Sequence, residues 1–174
     1  EFSVDQALAW AISRQESGFN PRAKSRARAA GLMQIMPATA SFVTKNRTYR
    51  GRGRHLLLNP QRNLEIGQAY INKLLNEPLI DGSIVRLLAA YNGGPGNLRK
   101  WLARVDHQDD PFLLIESIPA RETRHYIKSV ISNLALYRRQ LGEPAPELRE
   151  LAAGGPGRFV SLNLPTMVSS DDGS

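Results

Sequence analysis

The chain has 174 residues, 41% of them hydrophobic, with no cysteine and a formal net charge of +7 at pH 7. That length suits one domain with a tail, and such a chain can bury a core without disulfide or metal staples. The lack of cysteine excludes disulfide scaffolds, Cys-ligated zinc, iron–sulfur clusters and thiol nucleophiles. No run approaches the roughly 18 apolar residues of a membrane span, and no charged, apolar, small-residue leader opens the chain. Any targeting segment is therefore expected to lie outside it. The charge is uneven: from Arg14 to Arg62 there are 11 basic residues and one acid, Glu16, a local +10 that leaves −3 for the rest. Such a stripe suits nucleic acid, an anionic membrane or another polyanion.

In chain order, Ser3 and Gln6 have the spacing of a capping box. Val4, Leu8 and Ile12 then form an i, i+4, i+8 stripe whose next step is Glu16. Ser17 and Gly18 end that helix. A basic connection over residues 22–30 leads to the apolar block 31–36, and Pro37 starts a short helix to about Thr44. Residues 45–58 suit a small hairpin or an irregular lobe. Leu64, Ile71, Leu74 and Leu75 predict a helix over 61–76. Ser83 caps another that carries Ile84, Leu87, Leu88 and Tyr91 and stops at the Gly-rich turn after Asn92. A short helix over 97–105 follows. Pro119 opens the last long one, with Tyr126, Val130, Leu134 and Tyr137 on one face and Gly142 at its end. The body is expected over 1–141. A Pro/Gly/Ser-rich tail over 142–174 would be strapped to it by Phe159 and Val160.

Glu16 continues an apolar stripe, so its carboxyl should point toward packed interior. Desolvation there and the negative end of the helix dipole both raise a carboxyl pKa. The surrounding Arg and Lys residues act in the opposite direction. A proton donor at this position therefore requires burial to outweigh the basic field; the plain alternative is a solvated Glu at a helix end.

Five blocks change that balance. They are 14–21 (RQESGFNP), 31–40 (GLMQIMPATA), 63–67 (NLEIG), 89–96 (AAYNGGPG), and 116–119 (ESIP) with 122–126 (ETRHY). In this order they resemble the catalytic domain of soluble lytic transglycosylases. The resemblance implies a mainly α, lysozyme-like fold of the goose-lysozyme type, with at most a small β-hairpin. It also implies cleavage of the MurNAc–GlcNAc bond of bacterial peptidoglycan, in the periplasm or cell envelope. Glycosidic cleavage needs a proton for the leaving oxygen and stabilisation of an oxocarbenium-like carbon. No Asp or Glu occurs between Glu16 and Glu65, so the segment after the acid offers no carboxylate nucleophile. That favours assistance by the sugar's own N-acetyl oxygen. In this family the same carboxylate then takes the MurNAc 6-hydroxyl proton, and a 1,6-anhydro product forms without water.

The resemblance assigns further positions one at a time. Ser25 matches a serine near the acid and the N-acetyl group, against an ordinary loop role. Gln34 matches a residue that hydrogen-bonds substrate, against loop satisfaction. Met33 and Met36 would line the sugar groove, although apolar residues in such a block also serve as core. Tyr91 would bring its hydroxyl near Glu16, and Tyr126 would stand near the cleft or simply in the core. Asn92 is a substrate-side candidate that could equally shape its turn. Glu116 would touch sugar or stem peptide, serve as a second acid or base if brought near Glu16, or only anchor a helix. His55, His107 and His125 lack metal-ligand spacing, so neither metal nor cofactor is expected. Trp10 and Trp101 read as packing residues.

Two other functions compete: a goose-lysozyme-type hydrolase, and a basic wall-binding or nucleic-acid-binding module without activity. Nucleic acid is not expected, because residues 22–54 contain only Phe42 and Tyr49 as aromatics. The expected partners are glycan strands and stem peptides, with a secretion or conjugation apparatus as a further possibility. The Arg-rich stretch 47–54 exceeds what the family resemblance leads one to expect.

Overall fold

Helix α1 (Gln6–Ser17) starts two residues later than the Ser3 capping box predicts. Asp5 caps it, its Oδ1 accepting from Leu8 N–H at 3.0 Å, while Ser3 N–H donates to Gln68 Oε1. The computed structural model describes residues 2–104 and 110–162, so His107 and the tail from 163 onward lie outside the described residues. The other helices are α2 (Pro37–Thr44), α3 (Pro60–Leu75), α4 (Ile84–Gly93), α5 (Pro95–Arg104), α6 (Pro111–Ser117), α7 (Arg121–Gln140) and α8 (Pro146–Ala152). Among the described residues there is no named strand, only isolated antiparallel bridges such as Lys24 with Ala30 and Ala30 with Ile35.

The hairpin offered for 45–58 is replaced by two 3-10 turns, Arg47–Arg50 and Arg52–Leu58. This stretch lacks the alternation that a half-buried strand needs: Tyr49, Gly53 and Leu57 are its buried residues, four apart. Helices α6 and α8 were not predicted from the sequence. Each has only seven residues, too few for an apolar stripe to establish a period. The long helix α7 opens at Arg121, two residues after Pro119.

The core forms where the stripes meet. Helix α1 packs along α7 over its length, burying Leu8 and Ile12 completely together with Ile127, Val130 and Leu134. Each such side chain contributes about 1.5–3 kcal/mol relative to exposure. Helix α4 adds Ile84, Leu87 and Leu88, and Trp101 packs over Gly93, where a Cβ would come within 2.5 Å of the indole. Trp10 sits edge-on to Phe2 and Tyr137. No helix among the described residues is long and apolar enough to cross a membrane.

Two polar nodes hold the layers in register. Asn63, fully buried on α3, donates to the carbonyls of Ala30 and Leu57 and accepts from Met33 N–H at 2.8–2.9 Å. It thus fastens the 31–36 block and the 3-10 lobe to one helix. Gly31, at φ +80°, lies so close that an added Cβ would fall 2.3 Å from Asn63 Nδ2 and from Leu57 O. The second node is Arg138, with no exposure. Its guanidinium binds Asp5 at 3.0 Å, Glu143 at 3.1 Å and Glu147 at 2.8 Å, and donates to Val160 O at 2.8 Å. Asp5 also accepts from Leu162 N–H. Residues 143–162 are thereby folded back against the start of α1 and the end of α7. Phe159 joins this strap through its backbone bond to Gly82 O and the Arg138 guanidinium over its ring.

Candidate active site

At its other end the α1–α7 pair carries Glu16 and Tyr126. Glu16 is the penultimate residue of α1, before Gly18 closes the helix in the left-handed conformation (φ +58°). Ser17 Oγ donates to Leu32 O at 2.8 Å and so ties this end to the 31–36 block. The Glu16 carboxyl is pushed up to about 7 from an ordinary 4.5. Burial is the main cause, opposed by the Tyr126 hydroxyl and reinforced by the negative charge of Glu122. The charge that acts on Glu16 is thus an anion. Arg22, Lys24, Arg26 and Arg28 project into solvent, where high dielectric weakens their pull.

Two tyrosines border the acid, and a third packs on one of them. Tyr126, 4% exposed on α7, stacks on Tyr91 with ring centroids 6.4 Å apart and planes 5° apart. Its hydroxyl lies beside Glu16, close enough to favour the carboxylate. It falls short of a complete hydrogen bond, so Tyr126 Oη is buried without a partner among the described residues. Tyr91, half-buried near the end of α4, donates its hydroxyl to Met33 O at 3.0 Å. Tyr70 on α3 extends the series, 5.5 Å from Tyr91. Burial pushes all three phenols up, and the Glu16 charge adds to this for Tyr91 and Tyr126. They are therefore neutral O–H donors at any physiological pH.

The remaining candidates divide. Ser25 is exposed and its Oγ accepts from Ala29 N–H at 3.0 Å, which leaves the hydroxyl proton free. Gln34, in the left-handed region at φ +47°, donates its amide to Ala23 O and Gly31 O, so only its carbonyl oxygen remains for a ligand. Met33 has no exposure. The structure puts its side chain in the core and not on a groove wall, with its thioether against Gly67, where a Cβ would approach Sδ to 2.3 Å. Met36 is 38% exposed at the start of α2. Asn92 accepts from Thr123 Oγ1 at 2.7 Å and joins α4 to α7.

Glu116 does not have the setting of a second acid. It is exposed and bound by Lys128, whose hydrogen bond and charge hold the carboxyl below its usual range. The carboxylate that reaches Glu16 electrostatically is Glu122. At the level of sequence Glu122 stands within the 122–126 block with no role of its own. The signal was present: Glu122 lies four residues before Tyr126, on the same face of α7. Tyr70 carried no comparable signal, because nothing in its local pattern says what α3 packs against. His55 Nδ1 donates to Arg52 O, and His125 lies 3.4 Å from Ser129 Oγ, both exposed local contacts.

The family model described as "Transglycosylase SLT domain" matches residues 1–112, which contain Glu16, Tyr70 and Tyr91. The chain belongs to the SLT transglycosylase family. It is 41% identical over 143 residues to the soluble lytic murein transglycosylase of Salmonella typhimurium, covering 80% of this chain and 22% of that relative. It is also 34% identical over 157 residues to the membrane-bound lytic murein transglycosylase C of Edwardsiella ictaluri, covering 79% of this chain and 44% of that protein. Among solved structures, the 70-kDa soluble lytic transglycosylase of Escherichia coli superposes with a TM-score of 0.72 at 39% identity, over 82% of this chain and 23% of that one. An inactive Glu-to-Gln mutant of the Pseudomonas aeruginosa enzyme superposes at 0.70 with 36% identity, over 80% and 22%. The SLT chain thus spans about a fifth of the soluble relatives it matches. These likenesses establish a lysozyme-like, mainly helical fold.

Proposed function

We propose that this SLT domain cleaves the MurNAc-β-1,4-GlcNAc bond of peptidoglycan without water, with Glu16 as acid and then as base. The observation that carries the reading is the Glu16 pKa of about 7, where a carboxyl is nearly half protonated at neutral pH and can both give and take a proton. Glu16 passes its proton to the bridging oxygen as the bond to MurNAc C1 breaks, and the GlcNAc side leaves as an alcohol. The N-acetyl oxygen of MurNAc supports the electron-poor C1. The Glu16 carboxylate then accepts the proton of the MurNAc 6-hydroxyl, whose oxygen closes onto C1. The acid is restored, and the product is a 1,6-anhydro sugar.

In this reading Tyr126, a neutral donor with no other partner among the described residues, steadies the carboxylate formed between the two proton transfers. Tyr91, its own proton held by Met33 O, stacks on Tyr126 and fixes its ring. Ser25 and the Gln34 carbonyl oxygen would receive the sugar, with Met36 at the groove edge and Asn92 setting the turn. Residues 1–141 would form the catalytic unit, braced by the strap that follows it. The substrate places the reaction in the periplasm or cell envelope. Support comes from relatives that are lytic murein transglycosylases by name and from the inactive Glu-to-Gln mutant of one of them. The test is Glu16→Gln, which should abolish turnover of purified sacculi while leaving the fold and wall binding intact. Unchanged lysis would overturn the proposal.

A second reading, hydrolysis with Glu122 as base for a water molecule, is favoured by one observation, the action of Glu122 on Glu16. Glu122→Gln separates the two. It would abolish a two-carboxylate hydrolysis, whereas single-acid chemistry would survive with Glu16 titrating slightly lower.

A further inference from the structure

One part of the basic stripe has no role in this chemistry. Phe42 stands 48% exposed on α2, and two ammonium groups from different elements approach its ring. Lys45 Nζ lies 5.2 Å from the centroid and Lys73 Nζ, on α3, lies 4.7 Å from it. Arg47 and Arg50, both exposed in the following 3-10 turn, line the same open concavity of about 630 Å³, together with Ser41. No Asp or Glu lines it. None of these four cations forms an ion pair with a described residue. Lys45 occupies the left-handed cap position of α2 (φ +58°), where glycine is the least strained residue. The position nevertheless presents a cation. Like charges held together without a counter-charge gain from an anionic partner.

The geometry points to an exosite for the carboxylates of the acidic peptides carried by peptidoglycan, with Phe42 as its apolar floor. This rests on the wall-polymer reading of the Glu16 site. The concavity shares no residue with the surroundings of Glu16, so it would hold a neighbouring part of the polymer while the cleft holds the scissile bond. A bilayer fits less well. A membrane anchor needs an apolar group that protrudes clear of charge, whereas this ring is flanked by two ammonium groups inside a concave surface.

The test compares a Glu16→Gln protein with and without Lys45→Gln, Arg47→Gln and Arg50→Gln. Three probes are used: intact sacculi, sacculi freed of stem peptides by an amidase, and phosphatidylglycerol vesicles. All three added substitutions lie at exposed positions whose side chains make no hydrogen bond or ion pair with a described residue, and glutamine meets the left-handed backbone at 45 as lysine does. The expected result is tighter binding of the parent to intact sacculi than to stripped glycan. The triple substitution should weaken the intact-wall binding by about tenfold, a few-fold per exposed charge contact, and the difference should shrink as salt rises. Equal binding of the two proteins to intact sacculi would overturn the exosite, and so would parent binding that favours the vesicles. Cleavage of a soluble, peptide-free glycan by the Glu16-intact protein is read separately. Its absence would count against the catalytic proposal, and the binding comparison would stand on its own.

Discussion

Tyr126 brings its hydroxyl to the Glu16 carboxyl from the facing helix, buried and with no other described partner. Of the effects on Glu16, it is the one that favours the charged form, so it sets how far burial can raise the acid. Tyr126→Phe should therefore move the Glu16 pKa up. A hydrogen bond to a charged group is worth about 1.5–3 kcal/mol, and 1.4 kcal/mol corresponds to one pKa unit. Because the bond here is incomplete, a rise of about 0.5–1 unit is expected. The pH dependence of turnover would shift alkaline by the same amount, with little change in melting temperature. A pH–rate profile of the variant checks this.

The raised pKa of Glu16 has a consequence for stability. A carboxyl near 7 in the folded chain and near 4.5 in the unfolded chain binds its proton more tightly when folded. Between those values stability falls as pH rises. Glu16→Gln should thus match the parent at pH 4 and exceed it at pH 8 by on the order of 2–3 kcal/mol. Denaturant titrations of both proteins at the two pH values measure the difference. A constant offset would show that burial does not control this group.

Arg138 is the counterpart of Glu16 at the far end of the same helix pair. Its three carboxylates come from residues 5, 143 and 147, and removing the cation would leave Asp5 and Glu147 buried and uncompensated. Arg138→Met should cost about 3–5 kcal/mol. Ending the chain at 142 should also destabilise it, since the strap and two of the carboxylates go together. Chemical denaturation checks both. A loss below about 1 kcal/mol for Arg138→Met would mean that the node is dispensable.

Much of this was legible in the sequence, and its failures have physical causes. Val4, Leu8 and Ile12 correctly placed Glu16 on a buried face, because period and face are local properties. Pro37, Ser83 and Gly18 marked helix ends for the same reason. The Asp5 cap was missed because its carboxylate serves two purposes, and its second partner lies 133 residues away. For Met33 the sequence leaves groove and core both open, because the 31–36 block shows its composition and not which side meets Gly67 of α3. The sequence offers Glu116 as a second carboxylate and gives no separate role to Glu122. What separates them is the rotation of α7, which turns Glu122 toward Glu16, and the Lys128 side chain that engages Glu116.

Gly31 tests the Asn63 node. Its positive φ and the 2.3 Å approach to Asn63 and Leu57 leave no space for a Cβ. Gly31→Ala should cost at least about 2 kcal/mol from backbone strain and overpacking. It should also reduce turnover, because the displaced block carries the Met33 carbonyl that holds Tyr91. Thermal melts paired with activity assays would show the two effects together.

The central claim is that Glu16 alone shuttles the proton and that no water enters the product. Digestion of purified sacculi in isotopically labelled water, followed by mass spectrometry of the muropeptides, tests it most directly. The account predicts 1,6-anhydro ends, one water lighter than reducing ends and free of label. Reducing ends carrying the labelled oxygen would contradict it.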